Sequence, residues 1–328
     1  MLGRGVAERL RQDPRAELVA PEVLEIARAA DLVILNLECC ISERGEPWPD
    51  PYKPFFFRAP PAALDTLVSL GVSCVTLANN HALDYGPEAL CDTFEYLENA
   101  KIAWTGAGPG LRSARQPALI EVRGIRVAIA GVTDHPAEYA AGPRSPGVAY
   151  ADLQRSVPPW LEEIASSAAL GGPQAPDAVV VTPHWGPNMV ASPVSHVKRA
   201  ASFLVEAGAT LVAGHSAHVF HGVAGSVLYD VGDFLDDYAT DPALRNDLGV
   251  LFFVTLDEAG LRRIEAVPLS LAYCHTRLAS GENAAWVRRR FHEACEKLGT
   301  EVTEDGGRLV IDRPQIRTRV RGASCVAS

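Results

Sequence analysis

Short apolar runs alternate along this chain with segments in which apolar residues recur every three or four positions. The runs DLVILNLE, VSCVTLA, AVVVTP and ATLVAG are rich in β-branched residues. Continuous runs of this kind are typical of strands that are buried on both faces of a sheet. The helical spacing predicts helices near 5–12, 21–30, 60–70, 87–99, 152–168 and 194–207. This alternation predicts an α/β layered domain.

The rest of the chain adds shorter or antiparallel elements. LIEVRG and IRVAIAGVTD flank Gly124 and predict a hairpin, and VLFFVTLD with LRRIEAVPLSL predicts a second antiparallel pair. IAWTGAG and VLYDVG predict short strands, and a last helix is expected near 281–300, before the Gly-Gly turn of EVTEDGGRLVI. We therefore predict a main domain over residues 1–272 and a helical and short-strand appendage over 273–328, with a frayed tail at RGASCVAS.

Polar side chains follow the apolar runs, at the point where each predicted strand ends. Glu38, Asn80 and His184 follow three of the runs, and His215 and His218 follow a fourth in the sequence GHSAH. In open α/β sheets, ligands bind beyond the carboxyl ends of the strands. We therefore expect these side chains to meet at one edge of the sheet.

The side chains at these strand ends are of the types that bind metals. Neutral imidazoles are ligands for zinc, iron, manganese and nickel, and the carboxylate and amide oxygens add further donors. A single histidine at a strand end is more often a hydrogen-bonded structural residue. A whole set of such residues at neighbouring strand ends is hard to explain by packing. We therefore predict a metal site built from Glu38, Asn80, His184, His215 and His218.

Other polar residues close to these segments leave alternatives open. His81 directly follows Asn80 and is predicted to protonate a leaving group or to hold a substrate oxyanion. His221 is either a further site residue or a solvated bystander. Asp233 either orients a ligand histidine or caps a turn.

The segment DPYKPFFFRAP is predicted to be an extended loop, because prolines disfavour a helix there. Lys53 and Arg58 are candidates for binding an anionic substrate, and the phenylalanines between them either shape its pocket or cover the core. The remaining histidines lie outside the strand-end clusters and are expected to have structural roles: His135, His196, His275 and His292.

Composition narrows the classes of function. Of 328 residues, 48% are hydrophobic and 21% charged, which is typical of a globular chain with a packed core. The formal charge of −10 disfavours nucleic acid as a partner, and the basic run at 288–290 is typical of a solvated helical face. Seven cysteines without a CxxC pair disfavour a disulfide framework and a zinc finger. Reduced thiols are therefore expected, and they favour a cytoplasmic location. No stretch has the pattern of a membrane helix or a signal peptide.

Seven stretches, taken in order, resemble the CapA family, which is named for poly-γ-glutamate capsule synthesis and is similar in layout to the calcineurin-like metallophosphoesterases. The stretches are MLGRGV, NLECCIS, YKPFFFRAPP, TLANNHALDYG, TPHWGPN, AGHSAHVFHGV and YDVGDFLDD. The resemblance implies a four-layer αββα sandwich with a site for two divalent metal ions, of manganese, iron or zinc.

The resemblance also implies roles for the strand-end residues. Glu38 would take the place of the bridging carboxylate. Asn80, His184 and His215 resemble the ligands of one metal, and His218 resembles a ligand of the other.

Further implications concern a proton donor and two departures from the family pattern. His81 would be the proton donor beside the metals. The family often has GHHPH where this chain has GHSAH, so Ser216 replaces a histidine and one contact is lost. It often has GNF where this chain has Asp233 between Gly232 and Phe234.

The resemblance bears on the start of the chain as well. Family members open with an apolar strand and a Gly-Asp pair before the segment that matches MLGR, whereas this sequence begins at that Met. The first strand and its metal-binding Asp are therefore expected to be missing from this sequence. Either the true protein starts further upstream, or it lacks one metal ligand; the first alternative is favoured, because removal of an interior strand would leave two neighbouring strands unpaired. No membrane anchor is expected within this chain, and a membrane-associated or exported protein stays an alternative if an upstream segment was omitted.

The resemblance implies a hydrolase-type protein of poly-γ-glutamate or capsule biosynthesis. Metal-activated water would attack a γ-glutamyl amide or a phosphate ester, in an anionic polymer or a small substrate, and His184 would serve catalysis as well as metal binding. The alternative is a non-catalytic, metal-containing partner or a polymer-binding subunit that works beside a polymer synthetase or exporter. A third hypothesis is a plain structural α/β domain without metal.

Overall fold

Helices and strands alternate along most of the chain. The structure, a computed structural model, describes residues 1–172, 174–257 and 260–312. The α-helices in these ranges are α1 (Arg4–Gln12), α2 (Pro21–Arg28), α3 (Ala63–Ser69), α4 (Gly86–Asn99), α5 (Leu111–Ala114), α6 (Pro159–Leu170), α7 (Ser195–Ala207) and α8 (Gly281–Glu296). A short 3₁₀ helix spans Ala137–Tyr139.

The strands are short in the first half of the chain and longer towards its end. They are β1 (Val33–Asn36), β2 (Cys40–Ile41), β3 (Arg58–Ala59), β4 (Val72–Thr76), β5 (Ala103–Thr105), β6 (Ala107–Gly108), β7 (Ala118–Val122), β8 (Ile125–Thr133), β9 (Gly147–Val148), β10 (Ala178–His184), β11 (Leu211–Ala213), β12 (Val223–Ala224), β13 (Val227–Leu228), β14 (Leu248–Asp257), β15 (Gly260–Ala272), β16 (His275–Leu278), β17 (Thr303–Asp305) and β18 (Arg308–Asp312).

Most of the predicted elements lie where the apolar pattern places them, and the exceptions have local causes. Helix α6 begins at Pro159 and not near residue 152. A proline disfavours helical conformation in the residue before it, whereas Pro159 itself fits the first turn of a helix. The strand expected in VLYDVG is only the two residues of β13. The tail RGASCVAS lies outside the described residues.

Three strands form a small parallel sheet in the order β1-β4-β5. Asn36 of β1 pairs with Thr76 of β4, and Thr76 pairs with Thr105 of β5. The carboxyl ends of the three strands therefore lie side by side, and the loops that carry Glu38 and Asn80 leave the sheet at this edge.

A second sheet has six strands in the order β12-β13-β11-β10-β8-β7. Its four central strands are parallel, and β7 and β8 form the predicted antiparallel hairpin around Gly124. His184 is the last residue of β10, where it pairs with Thr133 of β8 and forms a bridge to His215 beyond β11. The carboxyl ends of these strands therefore carry the histidines.

The third sheet is antiparallel, in the order β14-β15-β18-β17, with β16 also paired to β15. β14 and β15 are the antiparallel pair that the sequence predicts. Two residues of α8, Phe291 and Cys295, are fully buried in the same core as Ile264 of β15 and Leu309 of β18. The C-terminal helix and hairpin therefore pack against and extend this sheet.

The apolar cores lie on both faces of the first two sheets. One core joins α1–α4 to the three-stranded sheet, and another joins α6 and α7 to the six-stranded sheet. A third core contains Cys74 of β4 together with Ile129 of β8, so apolar side chains of both sheets share it. At Gly131 the backbones come close, since an added Cβ would lie 2.4 Å from Thr76 Oγ1 and 3.0 Å from Gly106 Cα. The structure confirms the predicted α/β class.

None of the helices in the described ranges is long and apolar enough to cross a membrane. The cysteines of these ranges are free thiols, and most are buried: Cys39, Cys40, Cys74, Cys91, Cys274 and Cys295.

Candidate functional site

The strand ends of the two parallel sheets bring the predicted histidines together. His215 bonds the imidazole of His184 directly, and burial together with His218 and His81 nearby lowers the pKa of His184. Glu38 acts in turn on His218, and its Oε1 lies 3.9 Å from His81 Nε2. Side chains from loops far apart in the sequence therefore form one polar cluster.

His184 and His215 form a buried pair of imidazoles. Their Nδ1 atoms are 2.8 Å apart, so one ring donates a hydrogen bond to the other, and His215 Nε2 lies 3.1 Å from Thr182 Oγ1. Burial lowers the pKa of His184 well below its usual value, and the neighbouring His215 lowers it further. Burial also lowers the pKa of His215 to about 3. Both rings are therefore neutral at pH 7, which is the form that binds a metal.

The loop after β4 is organised by a fully buried carboxylate, Asp84. Its Oδ2 accepts a hydrogen bond from the backbone N–H of Phe57 at 2.6 Å and lies 2.6 Å from Nδ1 of His81. Its Oδ1 accepts a hydrogen bond from the hydroxyl of Tyr139 at 3.1 Å and lies 3.1 Å from Nζ of Lys53. One carboxylate thus joins three separate segments of the chain, around residues 53–57, 81–84 and 139.

This carboxylate determines the orientation of His81. The ring of Phe57 stacks on the imidazole with centroids 3.8 Å apart, while Asp84 holds Nδ1. The other ring nitrogen, Nε2, faces Glu38. Because the ring is fixed by both packing and hydrogen bonding, His81 presents one defined atom to the polar cluster.

His218 pairs with Asp233, whose Oδ1 lies 3.0 Å from Nδ1 of the ring. Burial alone lowers the pKa of His218, but the charge and hydrogen bond of Asp233, together with the charge of Glu38, raise it to about 10. Asp230 accepts hydrogen bonds from the backbone N–H groups of Ala217 and Gly232, each at 2.8 Å. Carboxylates of the segment after the GHSAH loop therefore hold this loop in place. Asp233 has the geometry of a residue that orients a histidine, which is the first of its two predicted roles.

Three candidate substrate-binding residues have partners within the protein. Lys53 Nζ donates to the carbonyl oxygen of Asn80 at 2.8 Å, in addition to its contact with Asp84. Arg58 Nη1 donates to two backbone carbonyls of the loop before it, at 3.0 and 3.1 Å. His221 Nε2 lies 2.8 Å from a backbone carbonyl in the loop before α7. A role in substrate binding stays a prediction for all three.

His135, for which the sequence predicts a structural role, lies next to His184. Its ring centroid is 5.0 Å from that of His184, and its Nδ1 bonds the buried carboxylate of Asp134. That carboxylate also lies 3.4 Å from Nε2 of His196. The sequence contains the necessary signal, because GVTDH ends β8 just as the other motifs end their strands. Asp84 carries no comparable signal, since its contacts with Lys53, Phe57 and Tyr139 cross between segments.

A cavity of about 210 Å³ lies beside the polar cluster. Its polar wall contains Glu38, His215, His218 and Asp233, and its apolar wall comes from β1 and β14. In the described part of the chain, β1 pairs with β4 on one side only, and its other side faces this cavity. A substrate group that enters here would meet carboxylate and imidazole groups on one side and an apolar surface on the other.

The residues of the cluster fit a metal by the chemistry of their donor atoms. Glu38 Oε1, Asn80 Oδ1, His184 Nε2 and Asp233 Oδ2 are buried and have no hydrogen-bond partner in the described ranges. An unpaired buried polar atom costs about 1–3 kcal/mol, and these oxygen and nitrogen atoms are ligands that divalent cations accept. No three His, Cys, Asp or Glu side chains of the described residues are already arranged around one ion. The donors therefore fit a cation, although they do not form a finished coordination cage.

Comparison with known proteins assigns the family. The family model of the bacterial capsule synthesis protein PGA_cap matches residues 1–238. A "Probable polyglutamine synthesis accessory protein" from Mycobacterium tuberculosis (strain ATCC 25618 / H37Rv) is 30% identical over 292 residues, which cover 84% of this chain and 75% of the relative. The chain therefore belongs to the PGA_cap family of bacterial capsule synthesis proteins, and the resemblance to CapA is confirmed.

Two relatives carry the name CapA. The "PGA biosynthesis protein CapA" of Bacillus subtilis (strain 168) is 27% identical over 277 residues, covering 83% of this chain and 69% of that protein. The "Capsule biosynthesis protein CapA" of Bacillus anthracis is 28% identical over 205 residues, covering 61% and 48%. Among solved structures, a hypothetical protein from Thermus thermophilus has a TM-score of 0.41 and 15% identity, covering 78% of this chain and 88% of that one. This structural likeness is too low to assign the fold.

Proposed function

We propose that this chain is a metal-dependent hydrolase of capsule or poly-γ-glutamate metabolism. The observation that carries the proposal is the set of buried, unpaired donor atoms of Glu38, Asn80 and His184, which come from three different strand-end loops. A protein that leaves several such atoms without partners loses stability, unless a ligand supplies the missing contacts.

The arrangement of sheets and helices in layers is part of the same proposal. A four-layer αββα sandwich is supported by the helix-covered outer faces of the three-stranded and six-stranded sheets and by the core that side chains of both sheets share. In such an arrangement the strand ends of both sheets border one site, as the polar cluster requires.

In the proposed site the cations are held by Glu38, Asn80, His184, His215 and His218. Divalent ions such as manganese, iron or zinc would supply Lewis-acid activation of a water molecule at neutral pH. His184 Nε2 has no hydrogen-bond partner in the described ranges and can offer a lone pair for this binding. His215 would bind by giving up its contact with Thr182 Oγ1, and His218 by releasing its ring proton.

The protein's own contribution to the reaction is the placement of a proton donor. His81 is fixed by Asp84 on one side and by the ring of Phe57 on its face, so that Nε2 faces Glu38 and the polar cluster. In the proposed reaction this atom gives its proton to the leaving group, and Asp84 acts through His81 as a positioning residue.

The proposed substrate is a γ-glutamyl amide or a phosphate ester, in an anionic polymer or a small molecule. The amide is supported by the names of the relatives, which refer to PGA biosynthesis and polyglutamine synthesis. Work beside a polymer synthetase is part of this proposal. The cavity beside Glu38 and His218 has polar and apolar walls and suits either substrate class.

A second candidate function is a non-catalytic, metal-containing or polymer-binding subunit of a capsule synthesis or export system. It is favoured by the name of one relative, a "Probable polyglutamine synthesis accessory protein". The formal charge of −10 disfavours a polyanion as the ligand of such a subunit, unless a cation mediates the contact.

The first experiment combines metal analysis with hydrolysis assays. Purified protein is analysed for bound manganese, iron and zinc and is then assayed with p-nitrophenyl phosphate, bis(p-nitrophenyl) phosphate, γ-glutamyl-p-nitroanilide and poly-γ-glutamate. We expect bound metal and turnover of at least one substrate. Chelation and His184→Ala should each abolish both, because His184 is 1% exposed and its unpaired Nε2 is a ligand atom.

The matched control is His275→Ala, because His275 also pairs with a carboxylate, Glu17, but takes no part in the polar cluster. This variant should retain metal and activity. Polymer binding without turnover would support the subunit instead. Activity that survives both chelation and His184→Ala would refute the hydrolase.

A further inference from the structure

A histidine outside the strand-end motifs of the sequence lies next to His184. Thr133, the last residue of β8, pairs with His184 in the parallel register, so Asp134 and His135 leave the sheet beside it. The backbone N–H of Asp134 donates to the carbonyl oxygen of His184 at 3.0 Å. The sheet itself therefore fixes the positions of Asp134 and His135 relative to His184.

The carboxylate of Asp134 orients the ring of His135. Its side chain is 1% exposed, and one of its oxygens bonds Nδ1 of His135. The other oxygen accepts a hydrogen bond from the backbone N–H of Gly186 at 3.1 Å, which fixes the carboxylate in turn. With the ring proton on Nδ1, Nε2 keeps its lone pair, and metal-binding histidines usually have this arrangement.

The distance between the two rings fits a shared ion. The centroids of His135 and His184 are 5.0 Å apart, and Nε2 of His184 is buried without a hydrogen-bond partner in the described ranges. Imidazole nitrogen binds zinc at about 2.0–2.1 Å, and the ring centre lies about 1.1 Å further on, so two rings on one tetrahedral ion have centres about 5 Å apart. The observed separation therefore needs little change for both rings to bind one ion.

Exposure distinguishes His135 from the other histidines of the cluster. Its side chain is 34% exposed, whereas His184 is only 1% exposed. His135 therefore lies closer to solvent than His184 does.

We propose that His135 is a further ligand of the metal site, which binds the same ion as His184 and is oriented by Asp134. The inference rests on the proposed function, because it requires that the cluster binds a divalent cation. It assigns a metal-binding role to the segment that follows β8, outside the three strand-end motifs that carry the other histidines.

The test is the affinity for Zn²⁺ and Mn²⁺, measured by titration calorimetry on the metal-free protein and its variants. We expect His135→Ala to weaken binding by about 10-fold or more and Asp134→Asn by about 10–100-fold, the usual range for a residue that orients a ligand. His275→Ala is the matched control, because its ring lies 3.3 Å from a carboxylate oxygen of Glu17 and is 24% exposed. That variant should bind as the wild type does.

The visible spectrum of bound Co²⁺ separates a ligand from a residue that merely supports the loop, because loss of a nitrogen ligand changes the absorption bands. Melting temperatures check folding, and His135→Gln replaces His135→Ala if the latter is unfolded. A wild-type protein that binds no cation refutes the proposed function and this inference with it. Cation binding by the wild type, with the same affinity and Co²⁺ spectrum in the His135 variant, refutes this inference alone.

Discussion

The contacts of the Lys53 ammonium group decide whether this residue has a substrate-binding role or a structural one. The sequence predicts that Lys53 binds an anionic substrate, but in the structure its Nζ lies 3.1 Å from Asp84 Oδ1 and donates to the carbonyl oxygen of Asn80 at 2.8 Å. The Lys53 side chain is 12% exposed and that of Asp84 is fully buried. We therefore expect that Lys53 chiefly neutralises Asp84 and secures the loop that carries Asn80 and His81.

The substitution Lys53→Met tests this, because it keeps most of the aliphatic stem and removes the charge. Breaking a buried ion pair by removing one partner costs about 3–5 kcal/mol, since the other charge stays buried without compensation. Asp84 keeps its hydrogen bonds from Phe57 and Tyr139 and its contact with His81, so we expect the lower end of that range, about 3 kcal/mol.

The measurement is the free energy of unfolding in urea at pH 7, with a chelator present so that bound metal does not contribute. Lys198→Met is the matched control, because Lys198 is exposed on α7 and its substitution should change stability by no more than about 0.5 kcal/mol. If Lys53→Met unfolds at the wild-type urea midpoint but raises KM for an anionic substrate, the structural role is refuted and the substrate-binding role is supported.

Two further predictions concern stability. Burial lowers the pKa of His221 to about 4, although its hydrogen bond to Val190 opposes the shift. The unfolded chain, with a histidine pKa of about 6.5, takes up the proton first as the pH falls, so this residue should remove about 2 kcal/mol of stability between pH 7 and pH 5. His221→Gln should lose that part of the pH dependence in urea unfolding, and an unchanged difference between the two pH values would contradict it. For Gly131→Ala, the new Cβ would lie 2.4 Å from Thr76 Oγ1 and 3.0 Å from Gly106 Cα, so we expect a loss of about 1–3 kcal/mol. A thermal midpoint equal to that of the wild type would show that the two sheets can separate at this point without cost.

The positions of the strands and of their polar ends are predictable from the sequence because both follow from local patterns. A continuous apolar run such as that of β10 leaves few alternatives to a buried strand, and in a parallel sheet its end must face the ligand side. The start of α6 was less predictable, because the apolar spacing continues upstream of Pro159 while the conformational limits of the two prolines prevent a helix there. The pattern of side chains and the restrictions of the backbone can disagree, and here the backbone restrictions prevail.

The partners of the site histidines were not predictable, because spacing along the chain does not show contacts across it. Asp84 is three residues from His81, and it accepts a hydrogen bond from Tyr139, which is far away in the sequence. His135 is different, since the same strand-end argument applies to β8. The apolar pattern around β8 predicts a hairpin, and a hairpin alone gives no reason to expect site residues beyond the end of its second strand.

The histidines of the cluster fall into two groups that explain why so many occur together. His81, His135 and His218 each have Nδ1 bonded to a carboxylate, from Asp84, Asp134 and Asp233 respectively. In each of these pairs the carboxylate fixes the ring and leaves Nε2 as the atom that can meet a ligand.

His184 and His215 have no such carboxylate; they bond each other, and burial keeps both neutral. A purely structural cluster would gain little from three separately oriented imidazoles around a neutral pair. A cation bound at the centre would use His184 as a neutral donor, while the carboxylates offset its charge and the charge of the protonated His218. The carboxylate of Asp134 should therefore matter more for metal affinity than for the stability of the metal-free fold, and the Asp134→Asn variant separates these two quantities directly.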